Sequence, residues 1–103
     1  MRKGTTPIHH FTVDLDLTTA TEIYLTYKQG CKEIIEKTKK DMTITPDTVE
    51  VTLTQQETLA FSTCDLNKDK VEIQFRAKFT DGSAVASNIM TATVLKILKG
   101  GEI

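Results

Sequence analysis

Val71-Glu72-Ile73-Gln74-Phe75-Arg76-Ala77-Lys78-Phe79 alternates apolar and polar residues without a break. Successive side chains of an extended chain point to opposite faces. Val71, Ile73, Phe75, Ala77 and Phe79 therefore share one face, and Glu72, Gln74, Arg76 and Lys78 the other. A helix would scatter the two sets around its circumference, so the pattern predicts a half-buried strand. Asp81-Gly82 follows, a strong hairpin signal. The returning strand lies between Ala84 and Leu95. Ile89 and Met90 are adjacent there, so one regular alternation does not fit and a bulge is expected.

The same reading extends upstream. His10 to Leu17 puts Phe11, Val13, Leu15 and Leu17 on one side and Thr12, Asp14 and Asp16 on the other, with Pro7 ahead of the strand where a missing N–H does no harm. Ile23, Leu25 and Tyr27 alternate with Tyr24, Thr26 and Lys28. Gln29-Gly30 then reads as a turn into Cys31 to Lys40. That stretch carries helix formers and a Glu33/Lys37 spacing, but Ile34 and Ile35 do not make a helical stripe, so it is read as the returning strand, with a short helix as the alternative. Met42 and Ile44 form a short strand, and Thr45-Pro46-Asp47-Thr48 a turn. Val49, Val51 and Leu53 form the next strand. Thr54-Gln55-Gln56-Glu57 has the form of a capping box. No amphipathic run follows it, which predicts about one helical turn, pinned by Leu59 and Phe61, where the chain crosses from one sheet to another.

These segments make about seven short strands in 103 residues. The expected fold is all-β: an immunoglobulin-like antiparallel sandwich in architecture, with one short helical turn and a small barrel as the alternative. Residues 1–103 fit one domain, since domains cluster near roughly 100–150 residues. The chain has 18 threonines and no tryptophan. Threonine is β-branched and suits a pleated face in contact with water.

The formal net charge is −1, with Lys and Arg interspersed among Asp and Glu. That is not the basic face a nucleic-acid binder needs, so no nucleic acid is expected as a partner. The densest basic run, Lys37, Lys39 and Lys40, runs straight into Asp41 and reads as a solvated strand end or loop. No stretch reaches the ~18 apolar residues of a membrane span, and Met1-Arg2-Lys3-Gly4 has no apolar run behind it, so neither a signal peptide nor a membrane is expected. Cys31 and Cys64 read as free buried thiols.

Candidate chemistry is thin. Asp65-Leu66-Asn67-Lys68-Asp69 opens like a calcium loop, but Lys70 stands where the sharp turn needs Gly and Arg76 where a bidentate Glu belongs. His9 and His10 are neighbours, so on a strand they face opposite ways and cannot chelate one ion together. Asp14 and Asp16 share a face without a supporting motif. No nucleophile elbow or phosphate-binding glycine loop is present. The expectation is no enzyme, no cofactor, and no catalytic, cofactor-binding or metal site. Tyr24 is the one aromatic expected to face outward, a poor platform for sugars.

Several stretches carry a resemblance. R-K-G-T-T-P at residues 2–7, H-x-F-T-V from His9 to Val13, L-T-Q-Q-E-T-L-x-F from Leu53 to Phe61, V-E-I-Q-F-R from Val71 to Arg76 and D-G-S-x-x-A-S-N from Asp81 to Asn88 resemble small structural proteins of tailed bacteriophages and prophages of Gram-positive gut bacteria. In kind the chain is similar to the immunoglobulin-like N-terminal domain of phage baseplate upper proteins. The Asp65–Asp69 stretch is longer than that pattern. The resemblance implies a virion structural or assembly protein of tail or baseplate type. It would be assembled in the bacterial cytoplasm and bind other virion proteins or copies of itself. A carbohydrate or cell-surface binding module, and a small phage-encoded regulator of a host protein, are the alternatives.

Overall fold

The computed structural model describes residues 1–12, 17–30, 32–62 and 68–103, with residue 68 described in its backbone only. Within them the chain forms β1 (Ile8–Thr12), β2 (Ala20–Gln29), β3 (Lys32–Thr38), β4 (Met42–Ile44), β5 (Thr48–Thr52), α1 (Gln55–Leu59), β6 (Lys68–Phe79), β7 (Ala84–Ala86) and β8 (Met90–Leu95). One sheet runs β1-β5-β4. The other runs β3-β2-β6, with β7 and β8 lying one after the other along the far edge of β6. All these strand pairings are antiparallel. The fold is an all-β sandwich of two separate sheets, so the closed-barrel alternative is set aside.

The inward residues follow the alternation. Val71, Ile73, Phe75 and Ala77 of β6 are buried, and so are Ile23, Leu25 and Tyr27 of β2 and Val49 and Val51 of β5, all in one core cluster. A fully buried Val, Leu, Ile or Phe side chain contributes about 1.5–3 kcal/mol. The outer face of the larger sheet sets opposite charges across from each other: Glu22 opposite Lys78 and Lys28 opposite Glu72, with Tyr24 opposite Arg76 between them. Tyr24 is 38% exposed, as the sequence suggests.

Cys31 to Lys40 yields a strand over Lys32–Thr38, and the register explains why its alternation fails. Tyr27 pairs with Ile35 and Lys28 with Glu33, so Ile34 is an extra residue in the ladder. The bulge lets Ile35 bury while Ile34 packs half-buried against the same core.

The expected single strand from 84 to 95 is two strands, which gives eight among the described residues in place of about seven. Ser87 makes the break. Its N–H donates to Phe75 O at 2.9 Å, and its hydroxyl, not its carbonyl, accepts the Phe75 N–H at 3.0 Å. Its carbonyl accepts the Gln74 side-chain amide at 2.9 Å. The ladder thus passes through a side chain, and Ile89 is left 58% exposed. In the hairpin before it, the Asp81 carboxylate accepts from Ser83 N and Oγ, and Gly82 sits at φ +88°. Gly82→Ala is expected to cost about 1–2 kcal/mol, the strain of a side chain in the left-handed region, and thermal unfolding will read it.

The first strand begins earlier than the alternation of residues 10–17 suggests. It covers Ile8–Thr12, while Leu17, still buried, opens a 3-10 turn over Leu17–Thr19. Val13, Leu15, Asp14 and Asp16 lie outside the described residues, as do Cys31, Cys64 and residues 65–67 of the calcium-like loop. Lys68 and Asp69, expected in that loop, already belong to β6 and pair with Leu95 and Val94.

The capping box forms as expected. Thr54 Oγ1 accepts from Glu57 N at 3.1 Å, and Glu57 Oε1 accepts from Thr54 N at 2.9 Å. The short helix carries the chain from β5 in one sheet toward β6 in the other. Phe61 is buried. Leu59 is only half-buried, and Thr58 takes the inward position next to it, with its hydroxyl donating to Thr5 O and Gln55 O. At the helix exit, the Gln29 side-chain amide pairs with both backbone groups of Ser62.

Candidate functional site

The densest meeting of polar side chains lies where β1, β2, β3 and α1 converge. His9 faces inward from β1, between Val51 of β5 and the core. Its neighbour His10 faces outward, with Nδ1 3.5 Å from Glu50 of the next strand. The two histidines part as alternation requires. His9 stacks on Tyr27 of the opposite sheet with ring centroids 5.8 Å apart, and His9 Nδ1 lies 2.6 Å from Tyr27 Oη.

Tyr27 is fully buried. Burial, and then the negative charge of Glu57, push its hydroxyl well above the ordinary value near 10. The hydroxyl keeps its proton; it donates to Nδ1 when the imidazole proton sits on Nε2, and accepts from Nδ1–H in the other tautomer. Burial, and then the positive charge at Met1, hold His9 below its usual 6.5. This hydrogen bond joins the two sheets through side chains.

Behind Tyr27 stand Phe61, at 6.1 Å between centroids, and the Lys37–Glu57 ion pair at 2.8 Å. Lys37 pairs in register with buried Leu25 and so lies on the inner face of β3. Its side chain is 13% exposed and that of Glu57 27%. Burial opposes ionisation of Glu57. The hydrogen bonds from Lys37 and Thr54 and the Lys37 charge outweigh it, and the carboxyl sits below its usual range. Lys37 is therefore not part of a solvated strand end. Lys39 donates to Ala20 O at 2.6 Å, and Asp41 is occupied by Thr38. The basic run spends its charges on the fold and leaves little for an anion.

The sign of the pH dependence follows. His9 has a depressed pKa in the folded state, so its contribution is complete above the unfolded value of 6.5 and is lost as pH falls through the folded value. Unfolding free energy is expected to drop on going from about pH 8 to about pH 5, and His9→Gln to flatten that part of the curve. Tyr27→Phe is expected to cost about 1 kcal/mol by urea titration, because it leaves His9 Nδ1 without its partner. Tyr27 adds an alkaline limb: its raised pKa holds full stability below about 10, and that stability is lost as pH rises further.

A second feature is a groove of about 410 Å³ between the end of β1 and the β7–β8 edge. Phe11 and Phe75, in edge contact at 5.0 Å between centroids, form its floor, and Leu17, Val85, Asn88 and Met90 its walls. Among the described residues no three His, Cys, Asp or Glu side chains gather as a metal site, and no buried side-chain polar atom lacks a partner.

The third feature is the sheet edges. The free edge of β3 bears Lys32, Glu33 and Glu36 and is bent by its bulge. β4 and β7 have three residues each. The outer edge of β8 is covered by Met1–Lys3. β1 is different. It has five residues, no acidic or lysine side chain, Ile8 53% exposed, and no strand on its far side among the described residues. Among the described residues β1 is open and β8 is occupied. No family model matches the chain, and comparison with curated proteins and with solved structures gives no match either.

Proposed function

We propose that this protein is a non-enzymatic structural or assembly component of a tailed-phage or prophage particle, of tail or baseplate type, that acts by protein–protein contact through the β1 edge. The β1 strand, open among the described residues and without acidic or lysine side chains, carries the reading. Sheet edges template pairing with another chain, and folded proteins blunt them with charge, bulges, shortness or a covering segment. Among the described residues every other edge has one of those devices, and β1 has none. An extended segment of a partner tail protein would add as a further strand, its backbone giving affinity and alternate side chains giving specificity.

The stretches that resemble phage proteins support this reading. They build the crossover helix, the central strand and the break at Ser87, which are architectural features and not chemical ones. The sandwich would then be of the immunoglobulin-like kind, and the chain would enter particles in the bacterial cytoplasm. A single outward tyrosine among charged residues does not favour a sugar platform. Mass spectrometry of purified tailed particles from cells encoding the chain tests the proposal. The expected result is the protein at fixed stoichiometry to tail proteins, and its absence from particles and assembly intermediates would refute it. Ile8→Lys, on the exposed face of β1, is expected to abolish incorporation while leaving the thermal unfolding midpoint unchanged.

A further inference from the structure

The groove and the open edge of β1 are neighbours on one side of the molecule. Pro7 O accepts from Leu53 N at 3.0 Å, one step before the register in which Ile8 faces Thr52. In an antiparallel pair, alternate residues turn their backbone N–H and C=O to alternate sides of the strand. Pro7, His9 and Phe11 therefore turn these groups toward β5. Ile8, His10 and Thr12 turn theirs away from it, to the side where no strand follows among the described residues. The other pairing of β5 agrees. Thr48 O accepts from Thr45 N at 2.9 Å on the β4 side, which leaves Val49, Val51 and Leu53 turned toward β1.

The groove lies on the free side of β1. Phe11 and Thr12 line it together with Phe75 of β6, Val85 of β7 and Met90 of β8, and among the described residues β4 and β5 contribute nothing to it. The larger sheet thus reaches past β1 and leaves apolar side chains uncovered there: Phe11, Val85 and Met90 pack on the core but are only partly buried. A strand added beside β1 would lie about 4.8 Å further out, over this groove. Cross-strand neighbours share a face, so its residue opposite Phe11 would point inward with Phe11. Its residues opposite His10 and Thr12 would point to water.

Building on the docking role of β1, we propose that the edge and the groove together accept one extended segment of a partner protein, with apolar side chains at alternate positions that fill the groove and polar ones between them. The outward row of backbone groups calls for an extended chain. Walls made by Phe11, Val85 and Met90 call for apolar side chains. The volume of about 410 Å³ is near the lower end of the roughly 300–1,000 Å³ of ligand pockets and suits a few such side chains. A second copy of β1 would satisfy the backbone row but not the groove. Its His9 and Phe11 are already engaged in their own core, His9 with Tyr27 and Phe11 with Phe75.

Nuclear magnetic resonance titration of the whole chain with three end-capped peptides tests this. T-V-T-F-T-V-T has apolar residues at alternate positions, T-T-V-F-V-T-T has the same composition without the alternation, and T-S-T-S-T-S-T has no large apolar side chain. The first peptide is expected to shift the Ile8, His10 and Thr12 amides and the Val85 and Met90 methyls together. It should bind at least about tenfold more tightly than either of the others. Val85→Lys, which sets an ammonium at the groove wall, should abolish that preference. The comparison among peptides keeps the test decisive if this variant misfolds. Shifts at the edge amides with equal affinity for all three peptides would overturn the role of the groove and leave edge docking standing. No shift at either place at millimolar peptide would overturn the inference, and incorporation of Ile8→Lys into particles would then decide edge docking separately. Shifts at both places that follow protein concentration alone, without peptide, would also overturn it, because the occupant would be a second copy.

Discussion

Phe61→Ala is expected to lower the unfolding free energy by about 3–5 kcal/mol, the largest effect of any substitution considered. Phe61 is 1% exposed and stands where the chain leaves the short helix for the second sheet. Its ring meets Tyr27, which bonds His9 of the first sheet. Truncation leaves a cavity at a junction that cannot collapse easily. Backbone pairs fix β2 between β3 and β6, and the Gln29–Ser62 amide contacts hold the helix exit. Domains of this kind have only about 5–15 kcal/mol in total, so the variant would be near its limit at room temperature. Urea unfolding measures the loss. A change below about 1 kcal/mol, the centre of ordinary point mutations, would mean that this junction is not a keystone.

Glu57→Ala is expected to cost about 2–3 kcal/mol, since it removes two interactions at once. The helix loses one half of its capping box, and the Lys37 ammonium, mostly covered, loses its partner. The reverse change is milder. Lys37→Met keeps the aliphatic stem against the core, and Glu57 still accepts the Thr54 N–H, so a cost of about 1 kcal/mol is expected. The asymmetry is the signature of a stranded buried charge. The double variant should then recover part of the Glu57→Ala loss. If the single costs simply added, the pair would be a surface ion pair without consequence. Glu57 also gives an acid limb: its depressed pKa holds full stability above about 4.5, lost as pH falls through the folded value.

The fold was legible wherever one face of a strand meets water and the other the core. Residues 71–79 carry that signal, and the Thr54–Glu57 box marks the crossover because capping is local chemistry. The limits have equally physical causes. Lys37 reads as solvated because its partner, Glu57, lies 20 residues away in another element, and no local pattern announces an ion pair of that range. His9 could have been placed: extending the alternation of Phe11 back by two residues puts it on the inner face, though nothing in the sequence points to Tyr27. Ser87 hides the split between β7 and β8 because its hydroxyl replaces a backbone acceptor. The pairing of Met1–Lys3 with β8 leaves no trace in a basic tripeptide. The groove and the open edge of β1 arise from sheet order, which alternation does not encode.

Hydrogen exchange on the free chain and on the chain assembled into particles tests the docking account most directly. The expected result is slowed exchange at the Ile8–Thr12 amides on assembly, with the amides of β3 and β4 unchanged. Slowing confined to β3, β4 or the outer face of the larger sheet, with Ile8–Thr12 exchanging as in the free protein, would contradict it.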